Sequence, residues 1–231
     1  MKVAGFQKTS LIDYPGRISS VVFTLGCNLR CPYCHNWRIV KETAPFITEE
    51  EILRMLLSRA RYIDSIVVTG GEPTIQPDLP LFLRKLKNLN FHVKLDTNGL
   101  KPEVLERCLP YVDYVALDVK TTLKKYRLLG AVDPSPLLKT IDLLKNSGVD
   151  YEFRCTVVPK IIDPEDLGEF AELVKGAKLL ALQQFNPEDP LDPAFKAVKP
   201  YTREGLLSIG RRLMPYVKRI EYRFSVTASS H

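Results

Sequence analysis

What most constrains this chain is a rhythm: short β-branched or apolar runs alternate with segments of helical period. Runs at 19–26 (SSVVFTLG), 65–71 (SIVVTGG), 91–99 (FHVKLDTNG), 112–120 (VDYVALDVK), 151–159 (YEFRCTVVP) and 177–185 (AKLLALQQF) read as strands. Between them, Thr48 and Glu51 form a capping box ahead of Ile52, Leu53, Leu56, Leu57 and Ala60, which share one helical face. Asp78 stands before Leu79, Phe82, Leu83 and Leu86, and Asp163–Pro164 before Leu167, Phe170, Ala171 and Val174. Further helices follow Pro136 and Thr202. Strand followed by helix about six times dictates parallel strands with right-handed crossovers. A seventh run, 219–224 (RIEYRF), closes or edges the sheet.

Alternation within the strands says how the sheet is arranged, because successive side chains face opposite ways. Phe91, Val93 and Leu95 fall on one side, His92, Lys94, Asp96 and Asn98 on the other. Val115, Leu117 and Val119 oppose Tyr114, Ala116, Asp118 and Lys120; Phe153, Cys155 and Val157 oppose Glu152, Arg154 and Thr156. A parallel strand covered by helices on both sides would be apolar on both. One charged side per strand implies a sheet curled around a polar interior. The expectation is an α/β fold, a partial (open) TIM-like barrel of about six βα units with parallel strands; an exposed sheet face is the alternative.

With 231 residues, 45% hydrophobic and 26% charged, and no Gly/Ser-rich linker, the chain reads as a single domain over 1–231. No run approaches the roughly 18 to 20 apolar residues that span a bilayer, and MKVAGFQKTSLIDYPGR lacks a signal-peptide core, so no membrane is expected and the expected location is cytoplasmic. A net charge of +6 and a pI near 9.0 raise nucleic acid as a partner. The basic runs at 120–127 and 211–219 lack interleaved aromatics and finger-type spacing, so no nucleic acid is expected and a solvated face accounts for them.

Three of the five cysteines, Cys27, Cys31 and Cys34, crowd into eight positions directly after the first strand-like run, at the strand end where α/β folds place their chemistry. Thiolates favour zinc, copper(I) or iron–sulfur clusters. A zinc ribbon wants a second cysteine pair, which is missing, and His35 is awkwardly adjacent to Cys34 as a fourth ligand of the same ion; a zinc-binding module stays open as an alternative. A [4Fe–4S] cluster held by three thiolates leaves one iron able to bind a small molecule. Cys108 and Cys155 fall at core-facing positions and read as packed thiols.

CxxxCxxC with Tyr33 before the last cysteine resembles the signature of the radical S-adenosyl-L-methionine (SAM) superfamily, and TGGEP (69–73) is similar to its glycine-rich motif. TSLIDYPGRISSVVFTLGCNLRCPYCHN (9–36), LDTNG (95–99), LDVK (117–120) and LQQFNP (182–187) look like the glycyl-radical-enzyme activating family, above all the members that serve anaerobic ribonucleoside-triphosphate reductase.

The resemblance implies a [4Fe–4S] cluster on Cys27, Cys31 and Cys34, with SAM on the remaining iron. Tyr33, Cys34 and His35 would pass along the adenosine side, and Gly70, Gly71 and Glu72 would meet the methionyl amine. Asp96, Asp118 and Lys120 match residues around the SAM ribose and carboxylate; Asp96, Thr97 and Asp118 match a monovalent-cation site of some relatives; Arg154 matches less closely. Where formate-lyase relatives carry a histidine, this chain has QQFNP, leaving Gln184 or Asn186 for the adenine. The implied reaction starts with a flavodoxin or ferredoxin as electron donor. SAM is cleaved to a 5′-deoxyadenosyl radical, which takes a hydrogen atom from a backbone glycine of a large glycyl radical enzyme, the anaerobic (class III) ribonucleotide reductase. A formate-lyase-type partner and a small-molecule substrate are the alternatives.

Overall fold

Every strand-like run read from the sequence forms a strand in the computed structural model, which describes residues 1–43 and 45–224. The chain divides into two compact units. The first holds Met1–Arg30, Asn36–Leu117 and Ser135–Tyr151; the second holds Cys31–His35, Asp118–Pro134 and the described residues 152–224.

In the first unit β1 (Val3–Ser10) pairs antiparallel with β2 (Ser19–Thr24). Parallel pairing then runs from β2 to β3 (Ser65–Gly70), to β4 (His92–Thr97) and to β5 (Tyr114–Asp118). Its helices are the short α1 (Trp37–Val40), α2 (Glu49–Arg59), α3 (Leu79–Asn88), α4 (Pro102–Cys108) and α5 (Pro136–Asn146). Strand β1 is a departure from the sequence reading, which starts the sheet at Ser19. VAGFQKTS buries only its two ends and exposes Gln7, Lys8 and Thr9, so it lacks the apolar alternation that marks a strand.

The capping box at the head of α2 forms as expected: Glu51 N–H donates to Thr48 Oγ1 at 3.3 Å and Thr48 N–H to Glu51 Oε2 at 2.9 Å. Its apolar face is narrower than the periodicity implied, with Ile52 and Leu56 buried and Leu57 exposed. Helix α3 buries all four expected residues, Leu79, Phe82, Leu83 and Leu86, each contributing roughly 1.5–3 kcal/mol of hydrophobic stabilisation. Asp78 precedes it without capping it; its carboxylate accepts the Met1 ammonium instead. Tyr14, from the β1–β2 connection, packs on Val21 and Val67, with its ring 6.1 Å from that of Tyr114.

In the second unit β6 (Asp150–Val157), which begins at the end of the first unit, pairs in parallel with β7 (Leu180–Gln184), and β7 with β8 (Ile220–Arg223). Asp163 and Asp166 form a capping box around the turn Pro164–Asp166, which leads into α6 (Leu167–Val174) with Leu167, Phe170, Ala171 and Val174 buried. Thr202 caps α7 (Arg203–Leu213) through the Gly205 N–H at 3.1 Å. Arg223 on β8 grips the buried Glu152 carboxylate with both arms, at 2.8 and 2.6 Å. Among the described residues no helix is long and apolar enough to cross a membrane.

Candidate active site

Six residues of β2 and β3 pair in register, ending at Thr24 opposite Gly70. Hydrogen bonding continues past the strands: Gly71 N–H donates to Thr24 O at 3.0 Å and Glu72 N–H to Gly26 O at 2.9 Å. The two backbones are so close that a Cβ on Gly71 would lie 1.8 Å from Gly26 O. Gly70, at φ +119°, would put one 2.3 Å from Thr24 N. The double glycine therefore exists to seat this turn on the segment that leads into Cys27.

Glu72 turns inward and is almost wholly buried. One carboxylate oxygen accepts from Thr74 N–H at 3.1 Å, Thr74 Oγ1 at 2.5 Å and Thr97 Oγ1 at 2.7 Å; the other accepts from Asn98 N–H at 2.6 Å. Burial pushes its carboxyl up, against the pull of these donors from Thr74, Thr97 and Asn98. On β4 the polar side carries a buried ion pair, Lys94 Nζ to Asp96 Oδ1 at 2.6 Å. Cys27 is half-buried, and its sulfur accepts the Leu29 N–H at 3.3 Å.

The second unit holds the remaining sequence candidates. Cys31 is buried, and burial pushes its thiol up to about 11 although Lys120 opposes the shift. Cys34 donates its N–H to Cys31 O at 3.0 Å. Tyr33 is buried edge-on against Phe185 at 6.4 Å, its hydroxyl without a hydrogen-bond partner among the described residues. The exposed His35 ring lies 6.4 Å from that of Phe185.

Asp118 accepts Arg154 Nε at 2.6 Å and Lys120 Nζ at 2.9 Å on its two oxygens. Burial alone would raise its carboxyl; Arg154 and then Lys120 outweigh burial and hold it well below the usual carboxylate range. Lys120 N–H donates to Tyr126 Oη at 3.1 Å. Gln184 spends its amide on Tyr201 O at 2.9 Å, and Asn186 reaches Glu188 at 3.2 Å.

Among the described residues no three His, Cys, Asp or Glu side chains gather around one point as they would around a single ion. A cubane differs from such an ion, because each thiolate binds its own iron.

The family model of the radical SAM superfamily matches residues 21–175. The chain belongs to the radical SAM superfamily. It is 39% identical, over 96% of its length and 95% of the relative's, to a Methanocaldococcus jannaschii protein that carries the provisional name of a glycyl-radical enzyme activating enzyme. It is 31% identical to the pyruvate formate-lyase-activating enzyme of Clostridium pasteurianum, over 77% of each chain. Among solved structures it resembles Streptococcus suis SuiB bound to S-adenosylmethionine, with a TM-score of 0.67 at 16% identity over 88% of this chain; it spans about half (49%) of SuiB. These likenesses establish the α/β, open TIM-like barrel fold expected from the strand–helix rhythm, and an enzyme of the radical SAM class rather than a zinc-binding module.

The residues present fit the superfamily's cofactors, a [4Fe–4S] cluster and SAM: three cysteines fall within eight positions, and in the first unit a glycine turn is hydrogen-bonded to the segment that leads into Cys27. Sequence reasoning put Lys94 and Asn98 on the polar side with Asp96 but gave them no partners; the structure pairs Lys94 with Asp96 and Asn98 with Glu72 in the first unit, and Tyr126, not singled out, meets Lys120 in the second. LDTNG contained the signal for Asn98, and the spacing of Lys94 and Asp96 on one strand face contained that for Lys94.

Proposed function

We propose that this radical SAM protein is the activating enzyme of an anaerobic, class III ribonucleoside-triphosphate reductase and installs a radical on a backbone glycine of that partner. The observation that carries the reading is the Gly70–Gly71 turn hydrogen-bonded onto the segment that leads into Cys27, which supports these glycines as the backbone offered to the methionyl amine. The SLIDYPG lead-in supports the choice of partner.

In this reading residues 1–231 act as a single radical SAM domain. When bound, the cluster on Cys27, Cys31 and Cys34 supplies the electron that cleaves SAM to the hydrogen-abstracting 5′-deoxyadenosyl radical. The protein's part is to bind, orient and exclude water. Gly70 and Gly71 offer their backbone to the methionyl amine, with Glu72 fixing the turn. By resemblance, Asp96, Asp118 and Lys120 would hold the carboxylate and ribose, with Arg154 keeping Asp118 ionised, and Asp96, Thr97 and Asp118 are the residues that would hold the monovalent cation of some relatives. Tyr33, Cys34 and His35 flank the adenosine, with Gln184 at the adenine. A flavodoxin or ferredoxin delivers the electron.

The test is anaerobic incubation of the reconstituted protein with SAM, dithionite and a class III reductase, followed by EPR. A persistent glycyl doublet on the reductase is the expected result. Absence of that doublet alongside SAM cleavage would overturn the choice of partner. The similarity to a pyruvate formate-lyase-activating enzyme supports a formate-lyase-type partner as the second reading, and the same doublet on that protein alone would establish it.

A further inference from the structure

Asn98 is held in one orientation from three sides. Its N–H is fixed by Glu72 Oε2 at 2.6 Å, and its side-chain oxygen accepts the Leu100 N–H at 3.1 Å. That second bond settles which end of the amide is which, leaving the NH2 group to point the other way. This NH2 lies 2.7 Å from Asn28 Oδ1 and 4.0 Å from Cys27 Sγ. A primary amide has two N–H groups, so it serves both acceptors at once.

In its thiol form Cys27 has a proton to place, and its sulfur stands 3.9 Å from Asn28 Oδ1. As a metal-bound thiolate it would have none, and could only accept. Donors already aimed at that sulfur include the Leu29 N–H and the Asn98 NH2. Amide donors to a cluster sulfur stabilise the more negative, reduced state and raise the potential.

We propose that Asn98 is a positioning residue for the cluster: anchored by Glu72, it holds Asn28 and donates to the Cys27 thiolate, making one-electron reduction easier. Through Glu72 the same anchor ties the TGGEP turn to the potential of the cluster. The inference rests on the radical SAM reading of Cys27.

The experiment is an EPR-monitored redox titration of the SAM-free, anaerobically reconstituted protein, with iron content measured on the same samples. Asn98→Ser keeps an oxygen to accept the Leu100 N–H and removes the amide donors without adding charge. Asn28→Ala removes the bridging acceptor and leaves Asn98 in place. The Asn98→Ser midpoint should move to more negative potential, lowering the reduced-to-oxidised ratio about threefold to tenfold at fixed potential, the size of one hydrogen bond. Asn28→Ala keeps the Asn98 donor and should hold the midpoint at or above the wild-type value; a negative shift as large as that of Asn98→Ser would overturn the assignment of the donor to Asn98. A wild-type midpoint in Asn98→Ser with full iron content overturns the proposal. If Asn98→Ser does not fold, a wild-type midpoint with full iron content in Asn98→Ala, which also removes the amide donors, overturns it instead. A wild-type protein that takes up no cluster would refute the cluster assignment itself, a result distinct from an unmoved midpoint.

Discussion

Arg154 Nε stands 2.6 Å from Asp118 Oδ1, joining the start of one segment of the second unit to β6. The pair sets an acid limit on stability. Because the folded-state pKa of Asp118 lies below the unfolded one, the carboxylate contributes stability above about pH 4 and loses it as pH falls toward the folded value. Asp118→Asn lacks that dependence. The stability gap between wild type and Asp118→Asn, followed by urea denaturation, should therefore narrow between about pH 5 and pH 2. A gap constant over that window would show that Asp118 titrates normally.

Gly71→Ala should be far more damaging than a surface glycine substitution. Its Cβ would meet a backbone carbonyl, and backbone yields less readily than a flexible side chain. A loss of about 2–3 kcal/mol in thermal or urea unfolding, with reduced iron uptake on reconstitution, is the expected outcome. Gly168→Ala, on a helix with open space around the added methyl, serves as the neutral comparison.

Lys120→Ala leaves Asp118 with Arg154 and removes the ammonium 2.9 Å away. The proposed role at the SAM carboxylate or ribose predicts a KM for SAM raised about tenfold, the scale of one charged hydrogen bond, with iron content unchanged. Parallel measurement of KM and iron separates binding from cluster assembly.

Cysteine substitutions should split into two classes. Cys31→Ala is expected to abolish cluster absorbance and SAM cleavage. Cys108→Ala, in a buried apolar position on α4, should keep both and cost about 1 kcal/mol in unfolding free energy. Retained SAM cleavage in Cys31→Ala would refute the ligand assignment.

The legible part of this molecule was the part governed by local spacing. Six strand-like runs and a seventh at 219–224 all form strands, and the capping box at Thr48 and the start at Asp163 form where the residues put them, because each depends on neighbours within a few positions. Asp118, Lys120 and Arg154 were legible as one polar side of successive strands, and they meet in one ion cluster. Strand β1 was hidden because polar residues and a glycine interrupt its pattern. Leu57 obeyed the helical period yet faces solvent, since the period fixes a direction and not what lies in it. The role of Glu72 was the least legible. Two of its four donor contacts come from Thr97 and Asn98, 25 and 26 residues away, and only the paired strands bring them within reach.

The seam between the ends of β2 and β3 has a genetic consequence. Because Gly71 and Glu72 are stitched to Thr24 and Gly26 by backbone bonds, the glycine turn and the entry to the cysteine loop form one mechanical piece. Damage to either half is already damage to the other, so combined substitutions at Gly26 and Gly71 should cost less than the sum of the single ones, a sub-additive epistasis confined to this seam.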